Sequence, residues 1–241
     1  MKKVAIFVEG QTEQIFVLKL LSQIFTIGKY YTDIQSLTGK TGFRRIQAVK
    51  DNEAYFSNKN KEWDYYFRVI DCHGGNEEST VKSDILEQLP RLTAEYFCSI
   101  IGIRDIYPLT DAVRLQRNMV VTDCPIPVSI ILAVNEVEAW FLAEDNHYAH
   151  LSPELTIEKV NKIAGIDVRY ETTEAIPWPS DILRQIYRLI GINYTKKAWQ
   201  AQVTSDALDY ENLYLSVRNR NNSLNNLLEC IDGVFEESKY E

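Results

Sequence analysis

The chain opens on the stretch VAIFVEGQTEQIFVLKLL (residues 4–21), in which an apolar run gives way abruptly to a helical pattern. The run over residues 3–8 is continuous and rich in β-branched residues, which is typical of a strand buried on both faces of a parallel sheet. Over residues 12–25 the apolar side chains recur at helical spacing. Gly10 lies between the two and permits a tight turn. The stretch predicts an α/β fold that begins with a strand, a turn and a helix.

The same alternation continues through the first half of the chain. Further strands are predicted over residues 43–50, 65–70, 97–103 and 128–134, and a helix over residues 79–89. This order favours a mostly parallel sheet flanked by helices. From about residue 151 strand-like runs give way to helical ones. We therefore predict an α/β domain over residues 1–150, and a helical C-terminal portion over residues 151–241 that packs on or beside it.

The composition limits the class of protein. The 241 residues are 45% hydrophobic and 25% charged, as in ordinary globular proteins, and the formal net charge of -8 argues against a basic nucleic-acid coat protein. The four cysteines lie far apart without zinc-ligand spacing. The N-terminal apolar run ends at Glu9, too early for a signal peptide or a membrane span. A cytoplasmic location without a membrane partner is the expectation.

Acidic residues follow the predicted strands at their carboxyl ends. They are Glu9, Asp71, Asp105, Glu136 and Glu138. Ligands of open parallel sheets bind outside the carboxyl ends of the strands, so we expect these carboxylates to converge on one acidic mouth. Oxygen ligands of this kind suit Mg²⁺ or Mn²⁺. Glu13, four residues after Glu9, is either a further ligand or an acid that complements the dipole of the first helix.

Two motifs carry a resemblance to a known family. The opening VAIFVEGQTEQIFVLKLL resembles the first strand, turn and helix of TOPRIM-type domains, in the VEGxTE version of the overcoming-lysogenization-defect nucleases and of small TOPRIM-like proteins linked to phage defence. The stretch ILAVNEVEAWFLAE (residues 131–144) is similar to a later segment of those small proteins. The resemblance covers about the first 145 residues, and it implies a TOPRIM-like fold.

The resemblance also implies a metal-dependent nuclease. Glu9 and Glu13 match the two glutamates of the motif. The Asp-x-Asp of the family is imperfect here, because Asp71 and Asp105 each stand without the second aspartate. The resemblance thus implies that Glu9, Asp71 and Asp105 are catalytic, and that they bind Mg²⁺ or Mn²⁺ together with Glu13 and Glu138.

The basic residues and the remaining alternatives are less specific. Arg44, Arg45 and Arg104 are candidate contacts to nucleic acid, Arg68 is a further candidate to balance phosphate charge, and His73 is a candidate ligand or proton shuttle. Two other functions stay open. One is a non-catalytic TOPRIM-like partner that senses nucleic acid or couples to an ATPase subunit, and the other is a metal-dependent phosphohydrolase that acts on nucleotides.

Overall fold

The computed structural model of the protein describes residues 1–25, 29–39, 45–48, 63–72, 80–107 and 112–236. Within these ranges the chain forms a six-stranded sheet. Its strands are β1 (Lys2–Val8), β2 (Tyr30–Thr38), β3 (Arg45–Ala48), β4 (Tyr65–Asp71), β5 (Ser99–Ile106) and β6 (Val128–Val134). The α/β class that the sequence predicts is confirmed.

Ten α-helices lie in the described part of the chain. They are α1 (Gln11–Ile24), α2 (Val81–Ala94), α3 (Ala112–Met119), α4 (Glu138–Ala143), α5 (Asn146–Leu151), α6 (Ile157–Ala164), α7 (Pro179–Arg188), α8 (Ala198–Ala207), α9 (Tyr210–Leu215) and α10 (Asn222–Glu236). Short 3₁₀ turns span Thr173–Ala175 and Val217–Asn219. After β6 the described chain is helical, as the sequence predicts. No helix in the described ranges is long and apolar enough to cross a membrane.

The sheet is mostly parallel, with the strand order β3-β2-β4-β1-β5-β6. Strand β1 pairs in parallel with β4 and β5, and β2 pairs in parallel with β4, whereas β3 is antiparallel to β2. Val4 and the four residues that follow it are fully buried. The continuous apolar run therefore marks an interior strand, as predicted, because both faces of a strand in a parallel sheet are covered.

Two compact units divide the chain. The first comprises residues 1–104, 113–131 and 234–241, and the second comprises residues 105–112 and 132–233. A core cluster that includes Phe7, Ile70, Ile85 and Ile100 fills the first unit. The second unit buries large aromatic side chains, among them Trp140. The predicted boundary near residue 150 stays a prediction.

A buried ionic network joins β2 and β4 in the first unit. The Tyr66 hydroxyl donates to Asp33 Oδ2 at 2.6 Å, and Arg68 Nε donates to the same oxygen at 3.0 Å. Arg68 Nη1 also donates to Glu95 Oε2 at 2.6 Å, and its guanidinium lies 4.8 Å from the centre of the Phe97 ring. Burial, and the hydrogen bond to Asp33, raise the pKa of Tyr66 although Arg68 opposes them. Arg68 therefore forms ion pairs with two carboxylates within the fold.

Candidate metal centre

The end of β6 sets up the site through a sharp turn at Asn135. This residue adopts a left-handed backbone (φ 68°), which asparagine tolerates better than most residues. Its side-chain Nδ2 donates to the carbonyls of Glu174 at 2.9 Å and Ile176 at 2.8 Å. Helix α4 then begins at Glu138. The turn brings Glu136, in the turn itself, and Glu138, at the first position of the helix, close together.

Three buried carboxylates of the second unit meet at this turn. Asp105, Glu136 and Glu138 each offer an oxygen atom, and these oxygens all lie within 4.8 Å of one another. The three residues are 6%, 4% and 0% exposed. Asp105 belongs to the end of β5 and the two glutamates follow β6. The sequence prediction that acids at strand ends converge thus holds for these three residues.

Backbone and side-chain donors hold each carboxylate in place. The amide of Val137 donates to Asp105 Oδ1 at 3.1 Å. The amide of Ser180, in the first turn of α7, donates to Glu136 Oε2 at 2.9 Å. Glu136 therefore satisfies an amide that the helix itself leaves unpaired, and it lies where the helix dipole favours negative charge. The hydroxyl of Tyr194 donates to Glu138 Oε1 at 3.0 Å.

A lysine supplies positive charge to the cluster. Lys196 Nζ lies 2.8 Å from Glu136 Oε1 and 3.2 Å from Glu138 Oε2, and its side chain is 35% exposed. The backbone of Lys196 is left-handed (φ 59°), which costs conformational energy in a residue with a β-carbon. Burial alone would lower the pKa of Lys196. Attraction to Glu138, Asp105 and Glu136 raises this pKa by more than burial lowers it, so the net shift is upward.

The carboxylates still outnumber the cation when all four groups are charged. Burial raises the pKa of Glu138, Lys196 lowers it and Glu136 raises it again, with a net shift upward. Among the described residues Glu138 Oε2 has no hydrogen-bond donor, and it forms an ion pair with the ammonium group of Lys196. A buried carboxylate oxygen without a hydrogen bond is costly, and a further cation would satisfy it.

The donor set fits a hard divalent cation. All three ligand groups are carboxylates, and the ligand oxygens of bound Mg²⁺ are about 3 to 4 Å from one another because the metal–oxygen distance is about 2.0–2.1 Å. The separations in the cluster lie within 4.8 Å, so small side-chain shifts suffice. Asp105, Glu136 and Glu138 are therefore the residues that could hold Mg²⁺ or Mn²⁺, provided that the Lys196 ammonium makes room.

The predicted residues Glu9, Glu13 and Asp71 belong to the first unit. Val8 is the register partner of Asp71, so Glu9 and Asp71 stand at the ends of neighbouring strands. Glu13 is buried in the first turn of α1, and its Oε2 would lie 3.3 Å from a β-carbon at position 10. Gly10 is extended (φ -159°), so glycine is favoured there by this close approach rather than by a left-handed backbone.

Among the described residues, the one group of three or more potential metal ligands is that of Asp105, Glu136 and Glu138. The metal-binding roles of Glu9, Glu13 and Asp71 stay predictions, as does a single acidic mouth shared by all the strand-end acids.

The predicted basic contacts lie in several places. Arg45 is exposed on β3. Arg104 is half-buried on β5, where its Nη1 lies 3.8 Å from Met119 Sδ. Arg44 and His73 lie outside the described residues. None of these roles is tested by the structure.

A fourth buried acid in the second unit has a structural role. Glu144 is fully buried, and its two carboxylate oxygens accept from the amides of Asn146 at 2.9 Å, His147 at 2.9 Å and Asp209 at 3.1 Å. The side-chain Nδ2 of Asn212 donates to it at 2.7 Å. Burial alone would raise the pKa of Glu144. The hydrogen bonds and the nearby His147 lower this pKa by more than burial raises it, so the net shift is downward. Glu144 ties α5 to α9.

The sequence did not predict three residues of the site: Lys196, Tyr194 and Ser180. They lie 42 to 58 residues after Glu138 in the helical part of the chain, and no motif or strand end marks them. The one available signal was a mismatch of charge, because several acids predicted to be buried together require a basic partner from elsewhere in the chain.

Comparison with protein-family models, with curated proteins and with solved structures finds no match for this chain. Its function is therefore argued from the geometry of the carboxylate cluster.

Proposed function

We propose that the protein is a nuclease that hydrolyses phosphodiester bonds of DNA or RNA with Mg²⁺ or Mn²⁺ bound by Asp105, Glu136 and Glu138. The observation that carries the proposal is the convergence of these three buried carboxylates, with oxygen atoms within 4.8 Å of one another. Natural proteins bury such groups only when they are paired or coordinate a metal, and one lysine balances a single charge. The resemblance of the two sequence motifs to TOPRIM-like nucleases supports the same activity.

A divalent cation in this cluster would polarise the scissile phosphate and lower the pKa of the attacking water. The residues of the chain have separate tasks. Val137 and Ser180 hold Asp105 and Glu136 through backbone amides, so that these carboxylates stay aimed at the centre. Tyr194 orients Glu138. Glu138 Oε2, which is paired with Lys196 in this structure, is the oxygen that would bind the cation.

Lys196 has a further task in this proposal. The Lys196 side chain is 35% exposed, and a cation bound by Glu136 and Glu138 would release its ammonium group to interact with the phosphate. A lysine in that position stabilises the charge that develops on the phosphate oxygens.

The four cysteines are all free thiols, which supports a reducing compartment such as the cytoplasm.

One observation favours a second candidate function. Because Lys196 already pairs with two of the three carboxylates, the cluster has a counter-ion of its own. A buried acid cluster neutralised in this way could be purely structural. The protein would then be a non-catalytic TOPRIM-like module that binds nucleic acid or an ATPase partner subunit.

The test is cleavage by the purified full chain. Plasmid DNA, single-stranded DNA and RNA are incubated with Mg²⁺, with Mn²⁺ or with EDTA. We expect cleavage only with metal, and its loss in Glu138→Gln, since a neutral amide does not replace a carboxylate as a metal ligand. Glu154→Gln, at an exposed glutamate of the same unit, is the matched control and should retain activity.

Melting curves with and without metal separate the two candidates. A ligand that binds only the folded state stabilises it by about 2.7 kcal/mol at a hundredfold excess over its Kd. A wild-type protein that neither cleaves any strand nor gains stability with millimolar Mg²⁺ or Mn²⁺ would contradict the nuclease. That result would favour the non-catalytic module.

A further inference from the structure

Two exposed aromatic rings lie beside the carboxylate cluster. Tyr107 and Trp178 are 46% and 43% exposed, and their ring centres are 6.5 Å apart with an angle of 37° between the planes. Both belong to the second unit. Aromatic side chains that are partly exposed to water can stack with nucleobases.

The chain ties both rings closely to the candidate ligands. Tyr107 follows Asp105 by two residues at the end of β5, and Trp178 precedes Ser180 by two residues at the start of α7. Two residues span at most about 7 Å. The amide of Ser180 is itself 2.9 Å from Glu136 Oε2. The aromatic pair is therefore held at the border of the cluster from two directions.

The conformation of Trp178 indicates that its placement is specific. Its backbone is left-handed (φ 57°), which is a costly conformation for a bulky residue. It precedes α7 directly, and its carbonyl accepts from the amide of Asp181 at 3.0 Å, so the first turn of the helix fixes its backbone. The fold thus keeps a partly exposed indole ring in a fixed place although the backbone conformation there is unfavourable.

From this arrangement we infer that Tyr107 and Trp178 form a stacking platform for an unpaired nucleobase of the substrate strand, next to the cleaved phosphate. The inference rests on the proposed nuclease activity and names its substrate class as single-stranded or locally unpaired nucleic acid. The charge of the chain supports this occupant. With a formal net charge of -8 the protein repels phosphate, so affinity must come from contacts to the bases as well as from the metal.

A neutral strand tests the platform without metal and without cleavage. The probe is a short, fluorescently labelled thymidine strand with uncharged methylphosphonate linkages, and its comparison strand has the same backbone with abasic positions. Fluorescence anisotropy in EDTA gives the two affinities. We expect the strand with bases to bind about tenfold more tightly, because stacking on an aromatic side chain contributes about 1–3 kcal/mol per base.

Substitutions assign the preference to the two rings. Trp178→Leu and Tyr107→Leu keep apolar volume but remove the ring, and each should abolish the preference for the strand with bases. Trp178→Phe keeps a ring and should retain most of it. Tyr170→Ala, at an exposed tyrosine of the same unit, should leave it unchanged. Tyr107→Leu alone decides the question if Trp178→Leu does not fold.

Equal binding of the two strands by the wild-type protein, or no binding of either, would overturn the platform. A preference that survives both leucine variants would overturn it as well. The outcome is distinct from that of the nuclease test. Cleavage with metal but without base preference would leave the nuclease intact, and base preference without any metal-dependent cleavage would leave only the platform.

Discussion

Replacement of Lys196 by methionine probes the charge balance of the carboxylate cluster. The change removes the ammonium that lies 2.8 Å from Glu136 and 3.2 Å from Glu138, and it keeps an unbranched apolar side chain. The left-handed backbone at this position costs methionine about as much as lysine, so the backbone energy cancels. The effect on stability is therefore electrostatic.

Its size follows from the burial of the pair. Removal of one partner from a fully buried ion pair costs about 3–5 kcal/mol. Water screens part of the interaction because 35% of the Lys196 side chain is exposed, so we expect a loss of about 2–3 kcal/mol in the absence of metal. For a chain of this length that corresponds to a melting temperature lower by about 5–10 °C.

Metal should reverse the loss. Without Lys196 a divalent cation meets no competitor, and at a hundredfold excess over its Kd it restores about 2.7 kcal/mol. The assay is a melting curve in EDTA and in millimolar Mn²⁺ for the wild type, for Lys196→Met and for Lys197→Met, whose lysine is exposed. A variant as stable as the wild type in EDTA would refute the electrostatic argument. A destabilised variant that Mn²⁺ does not rescue would refute the metal site.

Three further substitutions test other charged residues. Glu144→Gln should destabilise the protein by about 2–4 kcal/mol at pH 7. This loss of stability should shrink as the pH falls below 4.5, the ordinary pKa of a glutamate, because a lowered pKa stabilises the fold only while the carboxylate is ionised. Melting curves from pH 7 to 3 check the sign, and a loss that does not change with pH would contradict it. Arg68→Met should cost about 3–5 kcal/mol in urea unfolding, because the buried Asp33 loses its cation while Glu95 keeps Arg91, and should leave the metal response unchanged. Glu9→Gln tests the TOPRIM resemblance, which implies a loss of metal-dependent cleavage without a loss of melting temperature; full activity, as the metal site proposed at Asp105 implies, would contradict a catalytic role of Glu9.

The sequence predicted the strands whose side chains are mainly apolar, and the predicted strand over residues 43–50 also matches β3 (Arg45–Ala48). Strands β1, β4, β5 and β6 were all found, because continuous apolar runs mark strands buried on both faces. Strand β2 (Tyr30–Thr38) was missed. Its sequence YYTDIQSLT is polar, and three of its polar residues are buried. Asp33 is buried there because Arg68 and Tyr66 reach it from the neighbouring strand. A pairing of this kind depends on the strand order, which periodicity does not reveal.

The candidate site could likewise be predicted only in part: its acidic residues were identified from the sequence, and their basic partner was not. Asp105 and Glu138 were predicted as ligands, and Glu136 was noted beside them, because acids at the carboxyl ends of parallel strands share one edge of the sheet. Their stabilising partner Lys196 lies between two helices far along the chain. Local patterns predict which groups an element carries, but the partner of a buried charge is decided by how distant segments pack.

The positions of these partners have a consequence for synthesis of the chain on the ribosome. Glu138 leaves the ribosome 58 residues before Lys196, because 196 minus 138 is 58. At about 5–20 residues per second the delay is roughly 3–12 s. During that interval the nascent chain carries the three acids but not Lys196, the lysine that pairs with them in the folded protein, so burial of the acids is unfavourable. The turn at Asn135 must therefore stay hydrated until the segment that carries Lys196 has been made, and closure of the second unit is a late event in its folding.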